Sequence, residues 1–262
     1  LEEFESARLT LKGDLSDNTT LTIKGQYTNS ENVLSSISEY VKCDTLGGEP
    51  HDATTGVPVP KGLGAECNKD YRTAANPIPP VVAQSSEMLN YFDGQLGEEY
   101  ESQSITATLN MEFDRFTWQT VFNFHDMETN WVIDADFGPT TAIFASENNQ
   151  FEAYSLESRA ATTSDGALNG VLGLYYQNTD RYFIQEVIFA GAQNSAALDP
   201  SNEYIAYDKV SETEGETWSV YGELVYDINE DLQLTAGARY IEETKDSYFI
   251  QPYVNPAFAG LF

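Results

Sequence analysis

Residues 217–243, TWSVYGELVYDINEDLQLTAGARYIEE, constrain the fold more than any other stretch. Before a polar turn at Asn229-Glu230-Asp231, Val220, Gly222, Leu224 and Tyr226 alternate with Ser219, Tyr221, Glu223 and Asp227. After it, Leu232, Leu234, Ala236, Ala238 and Tyr240 alternate with Gln233, Thr235, Gly237 and Arg239. Side chains of an extended strand point to opposite faces in turn, so this pattern makes one apolar and one polar face. A turn this short joins the arms antiparallel. Each arm holds at least nine alternating residues. Soluble strands usually run about 5–6 residues, whereas a tilted membrane crossing takes about 9–11.

Three more hairpins share this rhythm. In the first, about 5–28, Ala7, Leu9 and Leu11 turn at Ser16-Asp17-Asn18 and return through Leu21, Ile23 and Tyr27. The second, about 103–126, carries Ile105, Ala107, Leu109 and Met111, turns at Asp114-Arg115, and returns through Trp118, Phe122 and Phe124. The third, about 151–178, pairs Tyr154 and Leu156 with Leu168, Leu172 and Leu174 across Thr163-Ser164-Asp165-Gly166. With the hairpin at 217–243 this gives about eight strands.

The connections alternate in length. Within hairpins they take a few residues; between hairpins they run about 30–100, 128–150 and 179–215. Compact domains rarely hold structureless loops beyond about 15 residues, while membrane β-barrels combine short turns on one side with long loops on the other. Tyr27, Phe124, Tyr175, Tyr176, Trp218, Tyr226 and Tyr240 sit towards strand ends, where interfacial aromatic girdles belong. A soluble β-sandwich explains the periodicity but neither the strand length nor the loop asymmetry. The fold expected is all-β, an antiparallel up-and-down transmembrane β-barrel.

Composition bounds the partners. A formal charge of −29 and 42 carboxylates argue against nucleic acid, whose phosphates attract Lys and Arg. No apolar run approaches the roughly 18 residues of a membrane helix. A negative mean hydropathy is compatible with a barrel, because only alternate residues face lipid. The first residues, LEEFESARLTL, lack the marks of a signal peptide, and the expectation is that the chain begins inside a longer protein. Cys43 and Cys67 share one polar stretch without a CxxC pair or a His cluster, which favours a disulfide in an oxidising compartment over zinc.

Tyr154-Ser155-Leu156-Glu157-Ser158-Arg159, then Gly170-Val171-Leu172-Gly173-Leu174-Tyr175-Tyr176, then Val220-Tyr221-Gly222-Glu223-Leu224 with Leu232 to Tyr240 follow in order. This succession resembles the middle of the barrel of TonB-dependent outer-membrane receptors of Gram-negative bacteria. The resemblance implies a barrel of about 22 strands enclosing an N-terminal plug, of which this chain supplies about eight. It implies short periplasmic turns, long extracellular loops, and active import of a scarce nutrient such as a siderophore, cobalamin or oligosaccharide. The implied partners are outer-membrane lipid, the transported small molecule, and a TonB-type energy-coupling protein acting through the plug. No TonB-box segment, plug or closing aromatic strand is visible in the sequence.

Little else suggests chemistry. His51 and His125 have no second His at ligand spacing, and GxSxG, HExxH and phosphate-binding glycine motifs are missing, so no catalytic or metal-ligating residue and no cofactor is expected. Asp134-Ala135-Asp136 and Glu212-Thr213-Glu214-Gly215-Glu216 offer oxygen clusters for Ca²⁺ on acidic loops, against the plainer reading of solvated charge. Glu157, Arg159, Glu223 and Arg239 fall on the polar strand face, which in a barrel looks into the lumen. Trp131, Phe137 and Phe144 are the loop aromatics placed to contact a ligand. A self-contained eight-stranded barrel serving as anchor or adhesion platform, and a passive porin, are the alternatives.

Overall fold

The computed structural model describes residues 2–33, 41–43, 48–52, 58, 67, 78–135, 143–189 and 192–260. Eight strands form one antiparallel sheet in chain order: β1 (Glu2–Ser16), β2 (Thr19–Val33), β5 (Gly97–Glu112), β6 (Phe116–Asp134), β7 (Ile143–Thr162), β8 (Leu168–Phe189), β9 (Ile205–Asn229) and β10 (Leu232–Ile250). A separate two-stranded sheet pairs β3 (Val41–Cys43) with β4 (Pro50–Asp52). Sequential neighbours pair throughout the large sheet, as in an up-and-down meander.

Local chemistry closes each hairpin. At the last turn Asn229 accepts from the Asp231 amide at 2.9 Å, so the side chain substitutes for a backbone turn bond. Ser164 Oγ accepts from the Gly166 amide at 2.9 Å in the third. The register then carries each face across the sheet unbroken: Leu156 stands opposite Tyr176, and Tyr176 opposite Trp218. The apolar face is open. Leu9 is 64 % exposed, Leu172 63 %, Leu224 59 % and Leu234 57 %. These residues therefore do not meet in a water-excluding protein core; a face this apolar and this exposed requires hydrocarbon as its neighbour.

The strands run further than the alternation of apolar and polar residues indicates. The span expected to be loop at 128–150 is strand up to Asp134 and again from Ile143, and that at 179–215 is strand up to Phe189 and again from Ile205. From Gln177 to Arg181 on β8 and from Thr217 back to Thr213 on β9 both faces are polar or small, so the hydropathy contrast fades while the hydrogen-bonded ladder continues. Phe144 is accordingly a strand residue and not a loop aromatic.

The enclosed core lies at this long-loop end. A segment at 78–96, opening with one helical turn, α1 (Pro80–Ala83), packs Ile78, Val82, Leu89, Phe92 and Leu96 against Val132, Phe144 and Ile188. Register places those three strand residues on the same face as Phe124, Tyr154 and Tyr176, so the segment covers the outer side of the wall. Asp93 and Gly94, both with positive φ, reverse the chain before Leu96, and Gly94 fits close above Ala83. Burying a Leu or Phe side chain stabilises such contacts by roughly 1.5–3 kcal/mol. Cys43 and Cys67 form the expected disulfide, with Cα atoms 5.6 Å apart.

Candidate functional site on the inner wall

Register assigns every strand cation of the large sheet to one face. Arg8, Lys12, Lys24, Arg159, Arg181, Lys209, Arg239 and Lys245 all stand opposite in sense to the apolar band. The outer face carries carboxylates instead: Glu101, Asp126, Glu128, Glu152, Asp180, Glu212, Glu214 and Glu242, above the aromatic girdle. Carboxylates such as Glu98, Glu147, Glu157 and Glu223 stand on the inner face too, so it is the cations that are confined to one side.

Three of the four residues read as lumen-facing come together. Arg159, Gly173, Tyr221 and Arg239 form one row across β7–β10, and Glu157, Tyr175 and Ser219 form the next. Tyr221 donates its hydroxyl to Glu157 Oε1 at 2.6 Å. Arg239 donates through Nε and Nη2 to Ser219 Oγ at 3.2 and 2.9 Å. Its guanidinium lies 5.4 Å from the Tyr221 ring centroid and 5.8 Å from that of Tyr175, within cation–π reach. The Tyr221 ring lies over Gly173, where an added Cβ would sit 2.2 Å from the ring; only glycine lets the ring lie flat there. Glu223 stands outside this network, opposite Val171 and Gly237 and exposed.

The aromatics expected in loops divide. Trp131, on β6 opposite Glu98 and Glu147, faces inward and hydrogen-bonds the Glu147 side chain. Burial pushes that carboxyl up, while Gln185, Trp131 and the nearby charges of Arg181 and Lys209 oppose the shift. Phe144 faces the other way and is fully enclosed beneath the 78–96 segment, which removes it from any ligand path. Phe137 lies outside the described residues.

The acidic motifs also part. Glu212 and Glu214 belong to β9, not to a loop, and with Asp180 of β8 they bring ligand-type oxygens within 4.8 Å of one another on the outer face. Such hard oxygen donors are of the kind Ca²⁺ takes. Asp134 is instead buried at the end of β6, and Asp136 lies outside the described residues.

One further feature has no motif in the sequence. Beyond the aromatic girdle Arg181, Phe183, Lys209, Ser211, Thr213 and Phe249 line an inner-wall groove of about 330 Å³. The signal was present: continuing the alternation of Tyr175 and Gln177 up β8 places Arg181 and Phe183 inward.

Comparison with known structures fits this geometry. The chain superposes on the ferric yersiniabactin uptake receptor FyuA from Yersinia pestis with a TM-score of 0.64 at 12% identity, covering 95% of this chain and 31% of that one. It superposes on the ferric citrate transporter FecA in its unliganded form with a TM-score of 0.55 at 12% identity, covering 96% and 30%. For the FpvAI–pyocin S2 complex the TM-score is 0.57 at 10% identity, covering 95% and 32%. At these identities the likeness is one of fold, and the chain spans about a third of each structure. No curated protein sequence matches. The family model for the TonB dependent receptor-like beta-barrel matches residues 62–258. With most of its length matched and its apolar strand faces turned outward, this chain belongs to the TonB-dependent receptor-like β-barrel family of Gram-negative outer membranes.

Proposed function

We propose that the chain forms part of the wall of an active importer, which binds a scarce nutrient outside the cell and admits it through the outer membrane. The observation that carries this reading is the pairing of an exposed apolar band with a polar, cation-bearing inner face on the same strands. Lipid takes the first; a water-filled or plugged lumen takes the second. The neighbours are an uptake receptor and a transporter for ferric chelates, which supports a small-molecule cargo such as a siderophore, cobalamin or oligosaccharide. Energy would come from a TonB-type protein acting through a plug domain. A self-contained eight-stranded barrel requires β1 to pair with β10, and the strand order leaves those two at opposite edges.

The test is uptake of radiolabelled nutrients by cells with and without the gene, before and after the inner-membrane proton gradient is collapsed. The importer predicts accumulation that needs both the gene and the gradient. Gene-dependent entry that survives collapse of the gradient would make the protein a passive pore.

A further inference from the structure

Where the covering segment meets β8, a cleft of about 480 Å³ lies on the outer face of the wall. The segment contributes Gln84, Ser86, Glu87 and Asn90, and the wall contributes Glu186. All five carry amide, hydroxyl or carboxylate groups, and among the described residues no Lys or Arg lines the cleft. Ser86 and Glu186 are held in place. Buried Ser86 donates its hydroxyl to Glu186 Oε2 and accepts from the Met88 amide at 3.2 Å. Ser146 donates to the same Oε2 at 3.4 Å. Both bonds fall on one oxygen, which leaves Oε1 to accept from a ligand. Gln84, Glu87 and Asn90 are exposed, and their side chains make no hydrogen bond to another described residue. Met88 and Ile184 add apolar surface.

This composition selects among ligands. Two carboxylates without a cation repel a phosphate or an organic acid. A purely apolar molecule would strip water from the amides and the carboxylate and return no hydrogen bond. A neutral sugar satisfies both kinds of surface. Each of its hydroxyls donates and accepts, as amides and carboxylates require, and its C–H face suits Met88 and Ile184.

Height above the membrane then indicates whose sugar it is. On this same face of β8, Leu172 and Leu174 belong to the exposed apolar band and Tyr176 to the girdle. Glu186 stands ten residues beyond Tyr176, about 33 Å along the strand. At a tilt of about 40° that is roughly 25 Å of height. An ordinary headgroup layer is only about 5–8 Å deep. A phospholipid on this wall therefore ends well short of the cleft, whereas a lipid with a long glycan headgroup reaches it. Between band and cleft, Asp126, Glu152, Asp180, Glu214 and Asp246 stand side by side on β6 to β10. The lipid linkage at that height is therefore uncharged or carries its own divalent counter-ion.

We propose that this cleft binds the glycan headgroup of a membrane glycolipid whose acyl chains lie against the apolar band below it. The inference goes beyond the importer reading and holds whether the barrel imports actively or conducts passively.

Glycolipid from the outer membrane of cells carrying the native gene supplies the probe in three forms: intact, stripped of its glycan by mild acid, and as the released glycan. Each is titrated against the full-length receptor in detergent with magnesium present, and bound molecules are counted by native mass spectrometry. Intact glycolipid should bind at least tenfold tighter than the stripped lipid. Gln84→Ala combined with Asn90→Ala should abolish that preference, while the stripped lipid binds as it does to the parent. Equal binding of intact and stripped lipid, a preference that survives the double substitution, or no binding of the glycolipid overturns the proposal. Released glycan that binds as tightly as the intact glycolipid would make the ligand a soluble sugar and overturn the membrane assignment. Both substituted positions are exposed; heat-modifiable migration and hydrogen exchange of residues 78–96 verify that barrel and covering segment stay formed.

Discussion

Leu172 and Ile188 occupy the same face of β8, yet one is 63 % exposed and the other wholly buried. Near the turns, that face is apolar on every strand and none of the described residues covers it. Near the long loops it is acidic, except where the 78–96 segment closes over Val132, Phe144 and Ile188. The backbone ladder is continuous across the change. What differs is the medium each half is built for. The lower half uses the bilayer as its missing core, whereas the upper half must supply a core from its own chain. The inner face crosses the boundary with its cations continuing on both sides, as a face that meets water or protein at every depth can.

The contrast predicts that damage in each half stays local. Phe92→Ala empties the centre of the covering segment and should cost about 3–5 kcal/mol of its docking. Limited proteolysis should then cut at 78–96, while heat-modifiable migration of the barrel stays as in the parent. Loss of both together would mean that the halves form one cooperative unit. A charge on the outer face gives the complementary break. Leu172→Arg, within the apolar band, should cost about 2–4 kcal/mol in unfolding from lipid, and Tyr182→Arg on the same strand and face about 0–1 kcal/mol. Equal costs would remove the boundary between the halves.

The same boundary sets how much was legible beforehand. Val220 to Tyr240 announced their strands because hydrocarbon on one side enforces strict alternation. That placed Glu157, Arg159 and Arg239 on the inner face, where register and hydrogen bonds bring them together. Above Tyr176, the pairs Asn178–Gln177 and Asp180–Thr179 offer no contrast, so the strands were invisible to periodicity although their ladder persists. The loop position expected for Phe144 gives way to a strand position for that reason. The 78–96 segment has one short helical turn and no period to detect; its apolar residues gain meaning only against Ile188, far away in sequence. The bridging role of Tyr221 was hidden as well, since nothing local indicates that its hydroxyl reaches Glu157 on β7.

The mildest test concerns Glu186, on the outer face of β8 well beyond the apolar band. Its carboxylate accepts from Ser86 of the covering segment and from Ser146 of β7. Burial pushes its pKa above the ordinary carboxylate range; the two hydroxyls oppose this and the neighbouring Asp208 adds to it. A raised value in the docked state means that docking binds a proton more tightly than release does. Attachment of the 78–96 segment is therefore strongest below the ordinary carboxylate pKa and weakens as pH rises through the raised one. Hydrogen exchange of residues 78–96, corrected for the intrinsic pH dependence of exchange, should show protection falling from mildly acidic to alkaline buffer. Glu186→Gln, which keeps an acceptor for Ser86 but carries no charge, should flatten most of that slope. A parent protein whose protection does not vary with pH would show that the carboxylate is not what links the covering segment to the wall.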